Sequence, residues 1–310
     1  MELIRGLHNL REKHRGCVAT IGNFDGVHLG HQTVLGQLSE KAAELSVPSM
    51  VITFEPYPLE YFAPAEAPPR LTRLREKIKA LTRYAVDRVL CMQFDNKLAA
   101  MTAEDFIQKL LIDGLDVKYL VVGDDFRFGN KRKGDFAMLQ QAGEKHGFQV
   151  VNLHTFAIDD ERVSSTRIRE ALARGELGIA EKMIGRPYRM CGRVAHGDKR
   201  GRTIGFPTAN IHLHRNNTPV SGVYVVEMFG IEGEPIQGVA NVGTRPTVDG
   251  TRSLLEVHLF DFSREIYGEY VNIEFVHKLR DEKKFDSFEV LKEQIDRDAE
   301  EAREFFKQRQ

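Results

Sequence analysis

Three cysteines in 310 residues, Cys17, Cys91 and Cys191, are too few and too scattered for a disulfide framework or CxxC metal ligation, and they fit a reducing cytoplasm. Basic charge is not in excess: 44 Lys and Arg stand against 45 Asp and Glu, which argues against nucleic acid as a partner. No window approaches roughly 18 apolar residues, and the opening MELIRGLHNLREKHRG has no long apolar core behind its charges. Neither a membrane span nor a signal peptide is therefore expected. Fixed-period repeats and low-complexity tracts are missing as well. So are two familiar nucleotide signatures: no G-x-G-x-x-G follows the first strand, and the later glycine-rich loop lacks the Gly-Lys-Ser/Thr ending of a Walker A sequence. What remains is a chain long enough for two domains, each with its own core.

The stretch around which this chain is organised is Cys17 to Leu38. Cys17 to Ile21 is a short apolar run of strand type, and Gly22, Gly26 and Gly30 punctuate a turn where backbone must pass close to something. From His31 onward Val34, Leu35, Leu38, Ala42 and Leu45 recur at helical spacing. A helix start exposes unpaired N–H groups and a partial positive charge, which suits a phosphate, and His28 and His31 at i, i+3 can both donate there. Gly22-Asn23-Phe24-Asp25-Gly26-Val27-His28-Leu29-Gly30-His31 resembles the HxGH signature of nucleotidylyltransferases, in the GxFDGxHxGH form of bacterial bifunctional riboflavin kinase/FMN adenylyltransferases. The resemblance runs over nearly the whole chain.

Further along, Ser49 to Phe54 reads as a strand, and Pro56 and Pro58 end it. The loop to Arg70 carries Tyr57, Tyr61 and Phe62 and is either a flap over a planar ligand or a plain surface loop. Leu71 to Tyr84 reads as helix, Asp87 to Phe94 as strand, Thr102 as the N-cap of a helix to Leu115, and Lys118 to Val122 as strand. The loop after that strand, with Asp125, Phe126 and Phe128, should line the same crevice as the first motif, because ligands bind beyond the carboxyl ends of parallel strands. Gly129 to Gly134 is a short basic loop, Asp135 to His146 helical, and Phe148 to Leu153 a strand. Five strands alternating with helices predict a doubly wound parallel α/β domain, Rossmann-like in architecture. Val163 to Arg169 then matches the family's SSTxIR motif. By that resemblance Ser164, Ser165, Thr166 and Arg167 hold the β- and γ-phosphates, and Gly22, Asn23, Phe24, Asp25, Gly26, Gly30 and Asp125 also bind the ATP. Tyr57, Phe62, Phe126 and Phe128 are the candidates for stacking on the flavin.

Gly185-Arg186-Pro187 breaks the pattern, so the boundary is placed between residues 1–185 and 186–310. Beyond it short β-rich runs separated by turns suggest an antiparallel barrel or sandwich, closed by a helix over Ser287 to Phe306. The resemblance implies the barrel. Gly197 to Asn210 resembles the riboflavin kinase signature built around GFPTAN, implying ATP contacts at Gly197, Gly201, Arg202, Gly205, Pro207, Gly222 and Tyr224. If Thr208 to Asn210 is extended, the Thr208 hydroxyl and the Asn210 amide oxygen share a face and suit Mg²⁺. Glu256 matches the family's catalytic glutamate, and Arg280, Glu282 and Phe285 match its flavin-side flap.

These matches imply two reactions: ATP with Mg²⁺ converts riboflavin to FMN in the C-terminal domain, and a second ATP converts FMN to FAD and pyrophosphate in the N-terminal one. The partners implied are these small molecules, with the protein a monomer or weak homo-oligomer in the cytoplasm. The rivals are an adenylyltransferase for another phosphoester, and a flavin- or nucleotide-binding regulator that does not turn over. GFPTAN and Glu256 argue against the first; the two histidines, Arg167 and Glu256 argue against the second.

Overall fold

A computed structural model describes residues 1–123, 125–153, 156–158, 161–196, 206–215, 217–231, 233–247 and 250–309. The chain divides into two compact units: Met1–Pro68 with Thr72–Ser164, and Pro69–Leu71 with Ser165–Gln310.

In the first unit the elements run β1 (Glu2–Arg5), β2 (Val18–Ile21), α1 (Leu29–Leu45), β3 (Ser49–Glu55), α2 (Pro58–Phe62), α3 (Leu74–Leu81), β4 (Arg88–Gln93), α4 (Asn96–Ala100), α5 (Ala103–Phe106), β5 (Tyr119–Gly123), α6 (Phe136–His146), β6 (Gln149–Leu153), β7 (Ala157–Ile158) and β8 (Glu161–Arg162). Six parallel strands form the sheet in the order β1-β4-β3-β2-β5-β6. The expectation of five is corrected by β1, an edge strand of four residues with charged Glu2 and Arg5 at its ends and only Ile4 buried. Such a segment makes no apolar run to read.

The sheet is buried on both faces, as parallel sheets are. Val18, Val51, Val89 and Val121 pack with Leu35, Leu38 and Ala42 of α1 on one side. Ala19, Ile21, Met50, Ile52, Leu90 and Leu120 face Leu98, Phe106, Leu110 and Leu139 on the other. Each such side chain contributes about 1.5–3 kcal/mol when fully buried, so the alternation holds every strand in register. Strand order reverses at β2, which has β3 on one side and β5 on the other. The loops leaving β2 and β5 therefore sit at the switch point of the sheet, where open α/β sheets bind ligands.

Two helix limits differ from the sequence reading. α1 begins at Leu29, with His28 as its N-cap. α3 begins at Leu74 instead of Leu71, because the Thr72 amide is spent on the Asp25 carboxylate at 2.9 Å. Thr102 caps α5 as expected, accepting from the Asp105 amide, and the helix continues as a π-helical stretch over Ile107–Gly114.

In the second unit α7 (Ser165–Arg174) and α8 (Leu177–Ile184) precede β9 (Arg189–Ala195), β10 (Thr208–His212), β11 (Gly222–Phe229), β12 (Ile236–Thr247), β13 (Gly250–Leu259), β14 (Tyr270–Arg280) and α9 (Phe288–Arg309). The six strands close an antiparallel barrel in the order β10-β13-β12-β11-β14-β9, with β9 pairing β10. Barrel, then, and not sandwich. Leu255, Val257, Ala240, Val242 and Val226 line the interior, while Ala299, Ala302 and Phe306 of α9 cover Val223, Val225, Val239 and Phe260 outside. Three consecutive carbonyls of the 69–71 segment are held in this unit: Pro69 by Arg169 Nε, Arg70 by Arg215 Nη1 and Leu71 by the Tyr188 hydroxyl.

Candidate active sites

The loop from Gly22 to His28 leaves β2 and feeds α1. Two of its non-glycine residues, Phe24 and Val27, have positive φ (49° and 44°), a costly backbone for any side chain and most of all for a β-branched one. What holds it there is Asp25. Its buried carboxylate accepts from the Thr72 amide (2.9 Å), the Thr72 hydroxyl (3.1 Å) and the Tyr57 hydroxyl (3.2 Å), and the Gly26 amide donates to Thr72 Oγ1 (2.9 Å).

The two histidines stack, ring centroids 3.6 Å apart, and Phe24 lies 5.0 Å from His31. His28 Nδ1 accepts from the His31 amide at 3.3 Å, so the neutral His28 ring carries its proton on Nε2. His31 Nδ1 is shielded from solvent and meets no hydrogen-bond partner among the described residues. Burial first, then the neighbouring His28 and Lys77, push His31 well below the ordinary histidine value of 6.5. A neutral donor–acceptor ring at a helix start, with one nitrogen unanswered, fits a ligand that brings its own polar atoms.

The aromatic candidates separate. Phe62 is 64% exposed at the end of α2, edge-on to Tyr61 and Phe94. Tyr57 and Phe128 are turned inward at 7% and 5% exposure, the first bound to Asp25 and the second packed on Phe106 and Phe126. Tyr57 thus supports the loop and Phe128 packs in the core. Phe126 is half-buried, and Asp125 is exposed with its carboxylate 3.6 Å from the Arg162 guanidinium. Ser164 closes the first unit, whereas Ser165, Thr166 and Arg167 open α7 in the second, the first two of a helix start and the third half-buried.

On the barrel, period-two alternation sorts chemistry from core. Leu255 and Val257 point inward, leaving Glu256 and His258 outside. Register sets Asn210 opposite Glu256, Thr208 opposite His258, and Asn241 of β12 on the other side of Glu256. Two hard oxygen donors, an amide and a carboxylate thus share one half-buried patch. No cluster of three His, Cys, Asp or Glu able to hold a metal occurs among the described residues. A threonine hydroxyl and an asparagine amide oxygen are hard donors, the kind that a cation bringing water and phosphate ligands of its own accepts. His258, which the sequence did not single out, donates from Nδ1 to the Pro207 carbonyl at 3.0 Å and so steadies the strand start.

Tyr224 is fully enclosed in the barrel, its hydroxyl donates to the Ser221 carbonyl, and burial pushes it up to about 12. Gly222 is required by packing: φ is 107°, and a Cβ there would stand 2.3 Å from the Arg280 carbonyl oxygen. Arg280 forks onto Asp298 of α9 at 2.7 and 2.9 Å and lies 5.6 Å from the Phe285 ring. Glu282 is exposed and sits where any side chain at Gly243 would collide with its carboxylate. Pro207 is exposed; Gly197, Gly201, Arg202 and Gly205 lie outside the described residues.

Two outcomes follow from the first loop. Asp25→Ala leaves the buried Thr72 amide without its acceptor, a cost of about 1–3 kcal/mol, read as a lower urea midpoint at unchanged slope. His31, depressed in the folded state, stays neutral as pH falls through 6.5 while the unfolded chain takes up a proton. Stability from this ring is present above that pH and drains away below it, and the His31 ring resonances stay flat from about pH 7.5 to 6 in an NMR titration.

Comparison with known proteins bears on both halves of the chain. The family model described as FAD synthetase matches residues 10–167, and that described as riboflavin kinase matches residues 184–306. A bifunctional riboflavin kinase/FMN adenylyltransferase of Haemophilus influenzae is 55% identical over 306 residues, 99% of each chain. That of Escherichia coli K12 is 53% identical over 99% of this chain and 98% of its own. A crystal structure described as a macrolide-efflux protein from Streptococcus pneumoniae superposes with a TM-score of 0.80 at 32% identity, covering 98% of this chain and 99% of that one. With an adenylylating half first and a flavin-phosphorylating half second, the chain belongs to the bifunctional riboflavin kinase/FMN adenylyltransferases.

Proposed function

We propose that residues 186–310 phosphorylate riboflavin with Glu256 as the base, and that residues 1–185 adenylylate FMN on the glycine-rich loop with His28, His31 and Arg167. ATP, riboflavin and FMN are the substrates and FAD the product. The observation that carries the first assignment is the register of β10 against β13, which gathers Thr208, Asn210 and Glu256 on one outward face.

Riboflavin's 5′-hydroxyl is a poor nucleophile. Glu256 takes its proton as the oxygen bonds to the γ-phosphorus of ATP and the bond to ADP breaks. Thr208 and Asn210 would hold Mg²⁺, which when bound neutralises charge on the phosphates. Asp298 fixes Arg280 at the foot of the flap that carries Glu282 and Phe285, the residues assigned to the flavin side. Gly197, Gly201, Arg202, Gly205, Pro207 and Gly222 are assigned to ATP.

FMN needs no such base, since its phosphate, with a second pKa of about 6, is already largely ionised at neutral pH. One of its oxygens bonds to the α-phosphorus of the second ATP while the bond to pyrophosphate breaks. His28 and His31, the amides of the Gly22 to Gly30 turn, the Ser164 to Thr166 hydroxyls and Arg167 orient the phosphates and take up the charge that builds on the leaving group. Phe62, by its exposure, and the half-buried Phe126 are the aromatics assigned to the flavin ring. The protein works as a cytoplasmic monomer or weak homo-oligomer on small molecules, without nucleic acid or membrane partners.

Glu256→Gln tests the division: FMN formation falls by about 10²–10⁴ while FMN is still converted to FAD. His28→Ala has the opposite pattern. Kinase activity that survives in the glutamine variant removes Glu256 from the role of base.

A further inference from the structure

Lys77 of α3 is completely enclosed, at 0% exposure. A leucine or methionine would fill the same volume, and burying an ammonium is expensive. A charge kept in such a place has contacts that explain it. Its Nζ donates to Thr53 Oγ1 at 3.2 Å and stands 4.5 Å over the face of the Tyr57 ring. Both neighbours reach the glycine-rich loop: Thr53 donates onward to the Asn23 carbonyl at 3.4 Å, and Tyr57 to the Asp25 carboxylate at 3.2 Å. One ammonium thus anchors two arms that grip the loop on either side of Phe24, where the backbone has positive φ. Strained backbone of this kind persists only where its surroundings over-determine it.

We propose that Lys77 is a positioning residue for adenylyl transfer: its ammonium holds the Asn23–Asp25 backbone in place through Thr53 and Tyr57, and sets a fixed positive charge behind the loop. The proposal rests on the assignment of ATP to this loop. It accounts for a second feature of the site. The ionisable groups that bear on His31 are His28, stacked on it, and Lys77 from α3; both disfavour its protonation, while the Asp25 carboxylate is taken up by Thr72 and Tyr57. His31 accordingly meets its ligand as a neutral ring that can accept as well as donate.

The test uses the full chain and follows FMN to FAD, with ATP and Mg²⁺, across pH, alongside riboflavin to FMN in the same preparation. Lys77→Met keeps the length of the side chain and removes its charge. FAD formation is expected to fall about tenfold or more in kcat, and the acidic limb of its pH profile to move upward by about one unit, because His31 loses a cationic neighbour. Riboflavin phosphorylation and the circular dichroism spectrum stay as in the parent. Thr53→Val cuts one arm and leaves the charge, so the rate falls and the limb does not move. A Lys77→Met chain with its FAD rate within about twofold of the parent, or with a lower rate and an unmoved limb, overturns the proposal. If that chain does not fold, Thr53→Val decides, and an unchanged FAD rate there overturns it equally. His31→Ala separates the underlying assignment: FAD formation that survives in it removes ATP from the loop, whatever Lys77 does.

Discussion

The glycine-rich loop between β2 and α1 depends on one carboxylate. Asp25 accepts three hydrogen bonds at a single oxygen, two from Thr72 and one from Tyr57, and through Thr72 it also orders the Gly26 amide. Those bonds hold a loop that would otherwise relax, since Phe24 and Val27 sit in a backbone region that costs each of them of order 1 kcal/mol or more. The loop in turn determines where α1 begins. With Gly26 and Val27 fixed, His28 falls at the N-cap and its ring stacks on that of His31 one turn later. Helix start, ring pair and shielded Nδ1 are consequences of that anchoring.

On the barrel the organising constraint is the period of two. Leu255 and Val257 must face the interior for six strands to close on a packed core, and that choice alone sends Glu256 and His258 outward. The same parity acts on β10 and β12, so that Thr208, Asn210 and Asn241 arrive beside Glu256 without any loop to place them. A one-residue slip would bury the carboxylate and expose the core together. Packing and chemistry are therefore enforced by the same register, and α9 completes the arrangement by covering the part of the outer face that is apolar.

Much of this was legible in the sequence. The alternation of strands and helices up to Leu153, the β-rich second half and the terminal helix follow from periodicity, and the parity of Glu256 from the apolar residues on either side. β1 was missed because a four-residue edge strand with charged ends buries too little to leave a pattern. Thr72, Thr53 and Lys77 were missed for a different reason. Their contacts span 46, 30 and 24 residues of chain, to Gly26, Asn23 and Thr53, and no local spacing encodes a bond over that distance. Tyr57, Phe128 and Tyr224 were readable as aromatics but not as inward-facing ones, since residue type says what a ring can do and only the fold says whether it is free to do it.

The two sites differ in what they ask of their protonation states, and the difference follows from the nucleophile. A hydroxyl must lose its proton as it reacts, so its site needs a carboxylate that can accept one, the role proposed for the half-buried Glu256 between Asn210 and Asn241. A phosphate monoester is already an anion, and a second base beside it would only add negative charge where more is about to build. The loop around Asp25 answers with the reverse arrangement: its carboxylate is consumed by Thr72 and Tyr57, its histidine is held neutral, and a buried ammonium stands behind Thr53. On the proposed reading this leaves positive charge and N–H donors for the phosphates, which is the balance that transfer between two polyanions requires.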